Sequence, residues 1–444
     1  MGGDFVLMCM ALIVTLALRY PPSTKKIQLA QHAIPFLFIF LLWIFSFAAA
    51  GFYELRRMQR SRLFLYRLLR VMGINAILAV SFFYLFPAGI EPRRNLILVG
   101  LLTIFFVFLW RYIFNHIVVR VRTSRVLFLG VNKEVMDLTD FLATRPQLGY
   151  KPILFVTLNN TPDALFLSLP VIPLSSFDLI RIAREHIIDT IVLSGEAKEN
   201  KQVGKLLLTS VPMGIPVFAF PAFHEMLTGK IPLSLIEAAW FLENLIGIRK
   251  RTYEFFKRVI DLILSALATI PALLTFPFIA LAIKIDSDGP IFFRQIRVGR
   301  HDHHFALLKY RSMCKNAYKI SGEKETDEDQ RHTRVGTFLR KHYLDELPQI
   351  INIIKGEMSF VGPRPERPEY VTQLKNSIPF YEMRLLVSPG LTGWAQINMD
   401  DDASVADAPV KMQYDLYYIK NRAPMLDLLI LLRTLATLLR RQGR

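Results

Sequence analysis

Long apolar runs separated by short polar connections fill the first part of the chain. The runs cover residues 5–18, 33–52, 71–86 and 96–119. A helix of about 20 apolar residues spans the hydrocarbon core of a bilayer; the first run falls short of this length and the others come close to it. Asp4 precedes the first run, whereas a signal peptide would begin with basic residues. The pattern therefore predicts a bundle of four membrane helices over residues 1–122.

Basic residues cluster at two of the polar connections and predict the orientation of this bundle. Cytosolic connections carry an excess of Lys and Arg. Lys25 and Lys26 in the first connection weaken the asymmetry without reversing it. We expect both the N-terminus and everything after the fourth run to lie in the cytosol. The residues on which this orientation rests are Arg56, Arg57, Arg60 and Arg62 in the second connection, and Arg120, Arg122 and Arg125 after the fourth run.

Residues 123–246 show a different pattern, in which short apolar runs alternate with amphipathic stretches. The runs at 126–130, 153–156, 190–193 and 217–220 are typical of buried parallel strands. Their alternation with helical stretches predicts a Rossmann-like α/β domain. The first turn, G-V-N-K at 130–133, lacks the later glycines of a dinucleotide-binding loop. We therefore expect a scaffold without a bound cofactor.

A fifth apolar run, at 262–285, is long enough to span a membrane but has two unusual features. Pro271 and Pro277 each remove a helical hydrogen bond, and basic residues flank the run on both sides. These features predict a re-entrant helix over about residues 254–285 that is broken near Pro271 and Pro277. A kinked spanning helix is the alternative. The last apolar stretch, at 425–441, reads as an interfacial amphipathic helix, with a core helix as its alternative.

The composition indicates a membrane protein that faces anionic partners. The 444 residues are 52% hydrophobic and carry 54 basic against 37 acidic side chains, a net charge of +17. A chain that is both apolar and basic is typical of a protein that meets anionic lipids or phosphates. We do not expect a nucleic acid partner, because no nucleic-acid-binding motif accompanies the charge. Two cysteines, Cys9 and Cys314, exclude a disulfide framework.

The stretch at 343–368 carries the candidate chemistry. Asp345 and Glu346 precede Pro348 and an apolar run with helical spacing, so the two carboxylates mark the beginning of a short helix. Free backbone N–H groups at such a position attract anions. The turn G-P-R-P at 362–365 follows, and its prolines would hold Arg364 rigidly for contacts with phosphate. The plainer alternative is a helix cap with no catalytic role.

The motifs of this region resemble one family. The segments L-D-E-L-P-Q and M-S-F-V-G-P-R-P-E-R-P-E are similar to those of monotopic phosphoglycosyl transferases, bacterial sugar transferases that start polysaccharide synthesis on polyprenyl phosphate. The resemblance begins at about residue 253 and implies an α-rich monotopic phosphoglycosyl transferase domain over residues 247–444, with a re-entrant membrane helix. Further matches are G-P-I-F-F-R-Q at 289–295, K-Y-R-S-M at 309–313, T-R-V-G-T-F-L-R-K at 333–341, P-G-L-T-G-W-A-Q-I-N at 389–398 and Y-D-L-Y-Y-I-K-N-R at 414–422.

The resemblance implies an activity, a location and partners. The enzyme would transfer a hexose-1-phosphate from a UDP-sugar to undecaprenyl (polyprenyl) phosphate and release UMP. This would be the first step of exopolysaccharide, capsule or O-antigen synthesis. It would work at the cytosolic face of the bacterial inner membrane, among the lipids of that membrane, and the resemblance leaves room for a homodimer. Two alternatives stay open: a transferase that moves the sugar alone and releases UDP, and a regulatory protein that senses a ligand with its middle domain.

The resemblance also implies a role for each candidate residue. Asp345 would be the nucleophile that carries the phosphosugar, and Glu346 would bind Mg²⁺. Arg364, with Arg384 as a weaker candidate, would contact phosphate oxygens. The headgroup of the anionic lipid would be drawn in by Lys309 and Arg311.

Overall fold

The computed structural model describes residues 2–53, 61–85, 92–113, 123–158, 169–236, 238–245, 250–314, 332–399 and 407–440. The chain divides into two compact units, Met1–Gly229 and Lys230–Arg444. Most of the basic connections that predict the orientation, at 54–60 and 114–122, lie outside the described residues, as does the side chain of Arg62.

Four apolar helices open the first unit, and they confirm the predicted runs. Each is long and apolar enough to cross a membrane. Buried aromatic and aliphatic side chains such as Phe36, Trp43 and Val99 form their common core, while others such as Val6 and Ile77 are exposed. This distribution suits a bundle that faces lipid. The helices are α1 Gly2–Arg19, α2 Lys25–Ala49, α3 Ser61–Leu85 and α4 Pro92–Ile113.

Charged side chains inside this bundle are paired. Arg111 Nη2 lies 2.9 Å from Asp4 Oδ2, and Arg111 Nη1 donates to the carbonyl of Phe52 over 2.7 Å. Ionisable groups among membrane helices are costly unless they find such partners. The pair therefore ties the beginning of α1 to the end of α4.

A five-stranded parallel sheet follows in the same unit, with helices between its strands, as the alternating pattern predicts. The strand order is β3-β2-β1-β4-β5. Leu127, Val156 and Ile191 belong to its buried core. The three-residue strand β3 is too short to stand out in the sequence. In chain order the elements are β1 Ser124–Leu129, α5 Lys133–Ala143, β2 Tyr150–Thr157, β3 Val171–Pro173, α6 Leu179–His186, β4 Thr190–Leu193, α7 Gly195–Glu199, α8 Lys201–Ser210, β5 Val217–Ala219 and α9 Phe220–Thr228.

The second unit is rich in helices and begins at Lys230. Ile231 and Phe241 pack in one core with Tyr381 and Met412, and the domain boundary at residue 247 stays a prediction. Strands β6 and β7 form an antiparallel hairpin, and β8 pairs with β9 in parallel. The elements are α10 Ala238–Leu245, α11 Arg251–Asp286, β6 Phe292–Val298, β7 His304–Tyr310, α12 Arg334–Lys341, α13 Gln349–Lys355, β8 Ser359–Val361, α14 Pro368–Ser377, β9 Gly390–Thr392, α15 Trp394–Asn398, α16 Ala408–Asn421 and α17 Pro424–Arg440.

The last helix, α17, packs into the core of its unit along one side. Ile430 is fully buried in a cluster with Trp394 and Tyr418, while Met425 and Leu435 are exposed. The structure thus favours a core helix over a purely interfacial one.

The long helix α11 differs from the prediction in its continuity. It has 36 residues, about 54 Å at ~1.5 Å per residue, and contains both Pro271 and Pro277. The structure does not show the predicted break at these prolines. A proline removes a single backbone hydrogen bond, and a helix can tolerate that loss without ending. Whether this helix leaves the membrane on the face where it enters stays a prediction.

Both ends of α11 pack against other elements of the second unit, whereas the middle of the helix has mostly exposed side chains. Near the beginning, Arg258 donates to the carbonyls of Ile353 and Ile354 over 2.6 and 2.7 Å. At the end, Asp286 Oδ2 accepts from the backbone N–H of Val335 over 2.8 Å. Ser265 and Ile279 are buried, but from 266 to 278, a stretch that the structure describes throughout, no side chain is buried. The exposed side chains there include Leu267, Ile270, Leu273, Leu274 and Phe278.

Candidate active site

Asp345 and Glu346 lie in a tight turn of their own, Leu344–Glu346. The helix α13 begins only at Gln349, so the two acids precede it instead of forming its first turn. Tyr343, just before the turn, has a positive φ of 57°, a conformation that costs a non-glycine residue energy and recurs at functional sites. The turn places the Asp345 carboxylate inside the unit, where the residue is 6% exposed.

Two cations converge on this acid pair from distant parts of the chain. Lys309, near the end of β7, places its Nζ 2.7 Å from Glu346 Oε1 and 3.8 Å from Asp345 Oδ2. Arg364 places its Nη2 3.2 Å from the same Glu346 Oε1. The structure therefore brings together four of the predicted site residues. Their two positive and two negative charges balance each other.

The shared environment separates the two carboxyl groups electrostatically. Burial raises the pKa of Asp345; the charge of Lys309 works against this rise, and that of Glu346 adds to it. Burial alone would also raise the pKa of Glu346, but Arg364 and Lys309 outweigh it and lower that pKa to about 2. Arg340 also lowers the pKa of Asp345. Arg340 belongs to the T-R-V-G-T-F-L-R-K motif, and this motif is the only sequence signal for its place near the acid pair.

The backbone from Arg364 to Glu366 is fixed by three hydrogen bonds. Arg384 Nη2 donates to the carbonyl of Arg364 over 2.9 Å, and Arg297 Nη1 donates to that of Pro365 over 3.0 Å. The backbone N–H of Val298 donates to the carbonyl of Glu366 over 2.9 Å. Three successive carbonyls are thus held, which gives the guanidinium a rigid base.

Glycines allow this turn to approach its neighbour, the P-G-L-T-G segment. A Cβ at Gly362 would lie 2.4 Å from the carbonyl oxygen of Ser388, and one at Gly393 would lie 2.2 Å from that of Gly362. The contact between the two segments is therefore backbone against backbone. Gly362 N donates to the carbonyl of Thr392 and Gly390 N to that of Pro363, both over 2.9 Å.

Comparison with known proteins agrees with this arrangement of motifs. Residues 252–441 match the model of the family described as bacterial sugar transferase. A relative from Caulobacter vibrioides, named UDP-glucose:undecaprenyl-phosphate glucose-1-phosphate transferase, is 39% identical over 189 residues, which are 41% of this chain and 69% of that protein. The chain belongs to the bacterial sugar transferase family.

Two further relatives of this sugar transferase differ in the sugar that their names contain. The first, from Aeromonas hydrophila, is named UDP-N-acetylgalactosamine-undecaprenyl-phosphate N-acetylgalactosaminephosphotransferase and is 41% identical over 230 residues. That match spans about half of each protein, 51% of this chain and 52% of the relative. The second, from Xanthomonas campestris, is named UDP-glucose:undecaprenyl-phosphate glucose-1-phosphate transferase and is 29% identical over 344 residues, 73% of this chain and 69% of the relative.

Arg384 lies behind the Arg364 turn, where its guanidinium is buried. It is 4% exposed, and its Nη2 lies 2.9 Å from Asp415 Oδ2 while also holding the Arg364 carbonyl. Its Nη1 contacts the hydroxyl of Tyr381. In the structure the guanidinium therefore supports the Arg364 turn, and a contact of Arg384 with phosphate stays a prediction. The sequence did not point to Asp415 or Tyr381 as its partners.

Arg311 lies at the end of α11, away from the four residues that the structure brings together. Arg311 is 8% exposed, and its guanidinium donates hydrogen bonds to the carbonyls of Ser287 and Asp288 over 2.6 and 2.8 Å. It therefore caps the end of α11, where free carbonyls attract a cation. A Cβ at Gly289 would lie 2.0 Å from Arg311 Nη1, so the glycine makes room for it. The contact of Arg311 with a lipid headgroup stays a prediction, and the structure shows its guanidinium bound to carbonyls of its own unit.

The acid pair also provides candidate ligands for a metal ion. Within the described ranges, no group of three or more His, Cys, Asp or Glu side chains is arranged to hold one. Mg²⁺, however, is commonly bound by one or two carboxylates together with substrate phosphates. Lys309 and Arg364 both contact Oε1 of Glu346, which leaves its Oε2 as the oxygen for a cation. The residues present thus fit such an ion.

Proposed function

We propose that this sugar transferase transfers a hexose-1-phosphate from a UDP-sugar to undecaprenyl phosphate and releases UMP. The observation that carries the proposal is the buried Asp345 carboxylate beside the Lys309–Glu346–Arg364 cluster. The three named relatives agree in their acceptor, undecaprenyl phosphate, and they support a phosphotransferase. Because their sugars differ, the proposal extends to the class of UDP-sugars.

In the first half of the reaction, Asp345 attacks the phosphorus that bears the sugar. A new bond forms between the carboxylate oxygen and this phosphorus, and its bond to the oxygen bridging to the uridine-side phosphate breaks. UMP leaves with that oxygen, and the sugar phosphate stays on Asp345 as an acyl phosphate. Covalent catalysis of this kind divides one difficult transfer into two easier steps. Burial raises the pKa of Asp345, which makes its ionised form more basic than an ordinary aspartate.

In the second half, an oxygen of undecaprenyl phosphate attacks the same phosphorus. The bond to Asp345 breaks, the carboxylate is restored, and the product is an undecaprenyl diphosphate sugar. Lys309 and Arg364 lie where they stabilise negative charge that develops on the phosphate oxygens of both steps. Arg384 and Arg297 keep the Arg364 backbone fixed during the exchange.

Mg²⁺ is the proposed cofactor, and Glu346 is the residue that would hold it. The two acids and two cations of the site already balance, so the diphosphate of the substrate adds uncompensated negative charge. A bound Mg²⁺ would supply the missing positive charge and polarise the phosphate oxygens. With its pKa lowered to about 2, Glu346 is ionised and ready to bind a cation at neutral pH.

A re-entrant course of α11 accounts for a site at the cytosolic face of the bacterial inner membrane. Arg258 and Asp286, near opposite ends of this helix, both bind the same compact unit. A helix that crossed the bilayer would place its ends on opposite faces, out of reach of one such unit. For both ends to lie on one face, the apolar middle would have to bend among lipid at Pro271 and Pro277, where a kink leaves most of the helical hydrogen bonds in place.

The parallel sheet of the first unit is proposed to be a Rossmann-like scaffold without a dinucleotide. Its strand order β3-β2-β1-β4-β5 is that of the Rossmann fold without a sixth strand. Gly130 follows the first strand with a φ of 88°, and a Cβ there would lie 1.9 Å from Ser194 Oγ. The glycine is thus used for close packing between β1 and β4, a need that does not involve a ligand.

A product assay tests the proposed function. The full chain in nanodiscs is incubated with undecaprenyl phosphate, Mg²⁺ and, in turn, UDP-glucose, UDP-galactose, UDP-N-acetylglucosamine and UDP-N-acetylgalactosamine. We expect one or more of these donors to yield UMP and an undecaprenyl diphosphate sugar. Release of UDP would instead identify a transferase that moves the sugar alone. Absence of any lipid product with all four donors would contradict the proposal.

A further inference from the structure

Asp261, an acidic residue of the apolar helix α11, faces the interior of the second unit. Asp261 is 5% exposed, and its Oδ1 accepts hydrogen bonds from Ser359 Oγ and from the backbone N–H of Phe360, each over 3.1 Å. A buried carboxylate is costly unless such donors compensate it. The helix therefore carries a group whose hydrogen bonds go to β8.

The strand that Asp261 holds leads directly to the Arg364 turn. Ser359 Oγ, which donates to Asp261, accepts in turn from the backbone N–H of Val361 over 3.3 Å. Ser359 N donates to the carbonyl of Pro389 over 2.9 Å, and thereby joins β8 to the glycine-rich segment that packs on the turn. The path from Asp261 to Arg364 thus consists of hydrogen bonds of 3.1 to 3.3 Å and the few residues that join β8 to the turn.

The same turn of α11 also holds the other half of the site. Arg258, three residues before Asp261, donates to the last carbonyls of α13. That helix directly follows the segment with Asp345 and Glu346. One helical turn at the base of the apolar helix therefore fixes the acid pair on one side and the Arg364 strand on the other.

We propose that Asp261 is a positioning residue for Arg364. Its hydrogen bonds to β8 would set the distance between Arg364 and the acid pair. The expected effect on turnover rests on the proposed function. Misplacement of a catalytic group by about 1 Å can cost roughly 100-fold in rate. Loss of the Asp261 hydrogen bonds is therefore expected to reduce turnover even though the residue does not touch the substrate.

A double-mutant cycle measures this relationship. D261A should lower kcat by about 10- to 100-fold, whereas D261N, whose amide oxygen still accepts both hydrogen bonds, should keep most of it. In an R364A background, D261A should cost less than about 3-fold more, because a residue that acts through Arg364 has nothing left to position. The matched control is S265A, which removes a fully buried hydroxyl one turn further along the same helix. Equal losses for D261A and D261N, or additive losses in the cycle, would overturn the proposal.

Hydrogen exchange provides a readout that does not depend on the reaction. In nanodiscs, D261A should speed amide exchange in the peptide at 358–366, while D261N and S265A should not. The peptide at 368–377, in α14, serves as an internal reference. If D261A leaves exchange at 358–366 unchanged, the positioning role is excluded even when no donor sugar has been found. If exchange changes but the wild type forms no lipid product, it is the proposed function that fails, and the positioning role stands.

Discussion

Lys309 Nζ lies 2.7 Å from Glu346 Oε1 but 3.8 Å from Asp345 Oδ2, so the lysine charge acts more strongly on Glu346 than on the adjacent Asp345. Together with Arg364 it lowers the pKa of Glu346 to about 2, whereas burial keeps the pKa of Asp345 raised. Pairs of titratable groups whose environments separate their pKa values are typical of divided catalytic roles. Here the more basic acid suits attack on phosphorus, and the more acidic one suits a metal ion.

Asp345→Asn should abolish turnover without destabilising the protein. An amide cannot form the acyl phosphate, and loss of a nucleophile costs on the order of 10⁴-fold or more. The fold should not suffer, because burial penalises the charged form of Asp345 and asparagine carries no charge. UMP release and the midpoint of thermal unfolding measure the two effects. Mass spectrometry of wild type incubated with donor alone should locate the phosphosugar on residue 345; an adduct elsewhere contradicts the assignment.

The acid limb of the pH–rate profile should report Asp345. Its pKa is raised, so the limb is expected above ~3.9, the value of an ordinary aspartate; Glu346, with a pKa of about 2, stays ionised through this range. Lys309→Met should move the limb to still higher pH, because the lysine charge lowers the pKa of Asp345. The control is K375M, which removes a lysine paired with Asp302 at the surface. A limb that K309M leaves in place would argue against Asp345 as the titrating group.

Removal of Mg²⁺ by a chelator should stop the reaction, and Glu346→Gln should weaken its metal dependence. The variant loses a charged ligand, so the Mg²⁺ concentration for half-maximal UMP release should rise by about 10-fold or more. D302N serves as the control, since its acid pairs with Lys375 at the surface. An unchanged Mg²⁺ titration for E346Q, or full activity of the wild type in EDTA, would remove Glu346 as the metal ligand.

Gly393→Ala should destabilise the second unit by about 1–3 kcal/mol, the usual cost of forcing extra volume into a packed site. The added Cβ would lie 2.2 Å from the carbonyl oxygen of Gly362 and would push the Arg364 turn away. G204A is the control, because a Cβ at Gly204 on α8 meets nothing within 4 Å. Residual UMP release after a graded heat challenge compares the two. Equal survival would show that the close backbone contact contributes little.

Cysteine labelling tests the course of α11. In a chain whose Cys9 and Cys314 are replaced by serine, R251C and K284C at the exposed ends of the helix should both be shielded from an impermeant reagent in intact cells. Both should react in inverted vesicles. S23C, in the exposed connection between α1 and α2, should label from outside and so checks the orientation of the bundle. Labelling of K284C but not R251C in intact cells would show that the helix spans the membrane.

The sequence predicted well the features that depend on local pattern. The apolar runs place the four opening helices because a membrane helix needs an uninterrupted apolar stretch, and that stretch is visible residue by residue. The parallel strands at 126–130 and 190–193 are visible for a similar reason, since strands buried on both faces read as continuous apolar runs. The acid pair and Arg364 were found through motifs, and the structure brings them together with Lys309.

The side-chain contacts that could not be predicted from the sequence join residues that are far apart along the chain. Arg384 and Arg311 look like any other basic residue near a motif, and only the fold shows that their guanidinium groups bind Asp415 and the end of α11. The prolines of α11 mark weak points without stating whether the helix breaks there. Asp261 directly precedes the apolar run at 262–285, and only the fold shows that its hydrogen bonds go to β8.

The division of the chain at Gly229 has a consequence for how the site is encoded. Asp345, Glu346, Lys309 and Arg364, with the side chains described as holding them, all come from Lys230–Arg444. The charged groups of the candidate site are therefore encoded by one continuous stretch of the gene, separate from the stretch that encodes the four apolar helices and the parallel sheet.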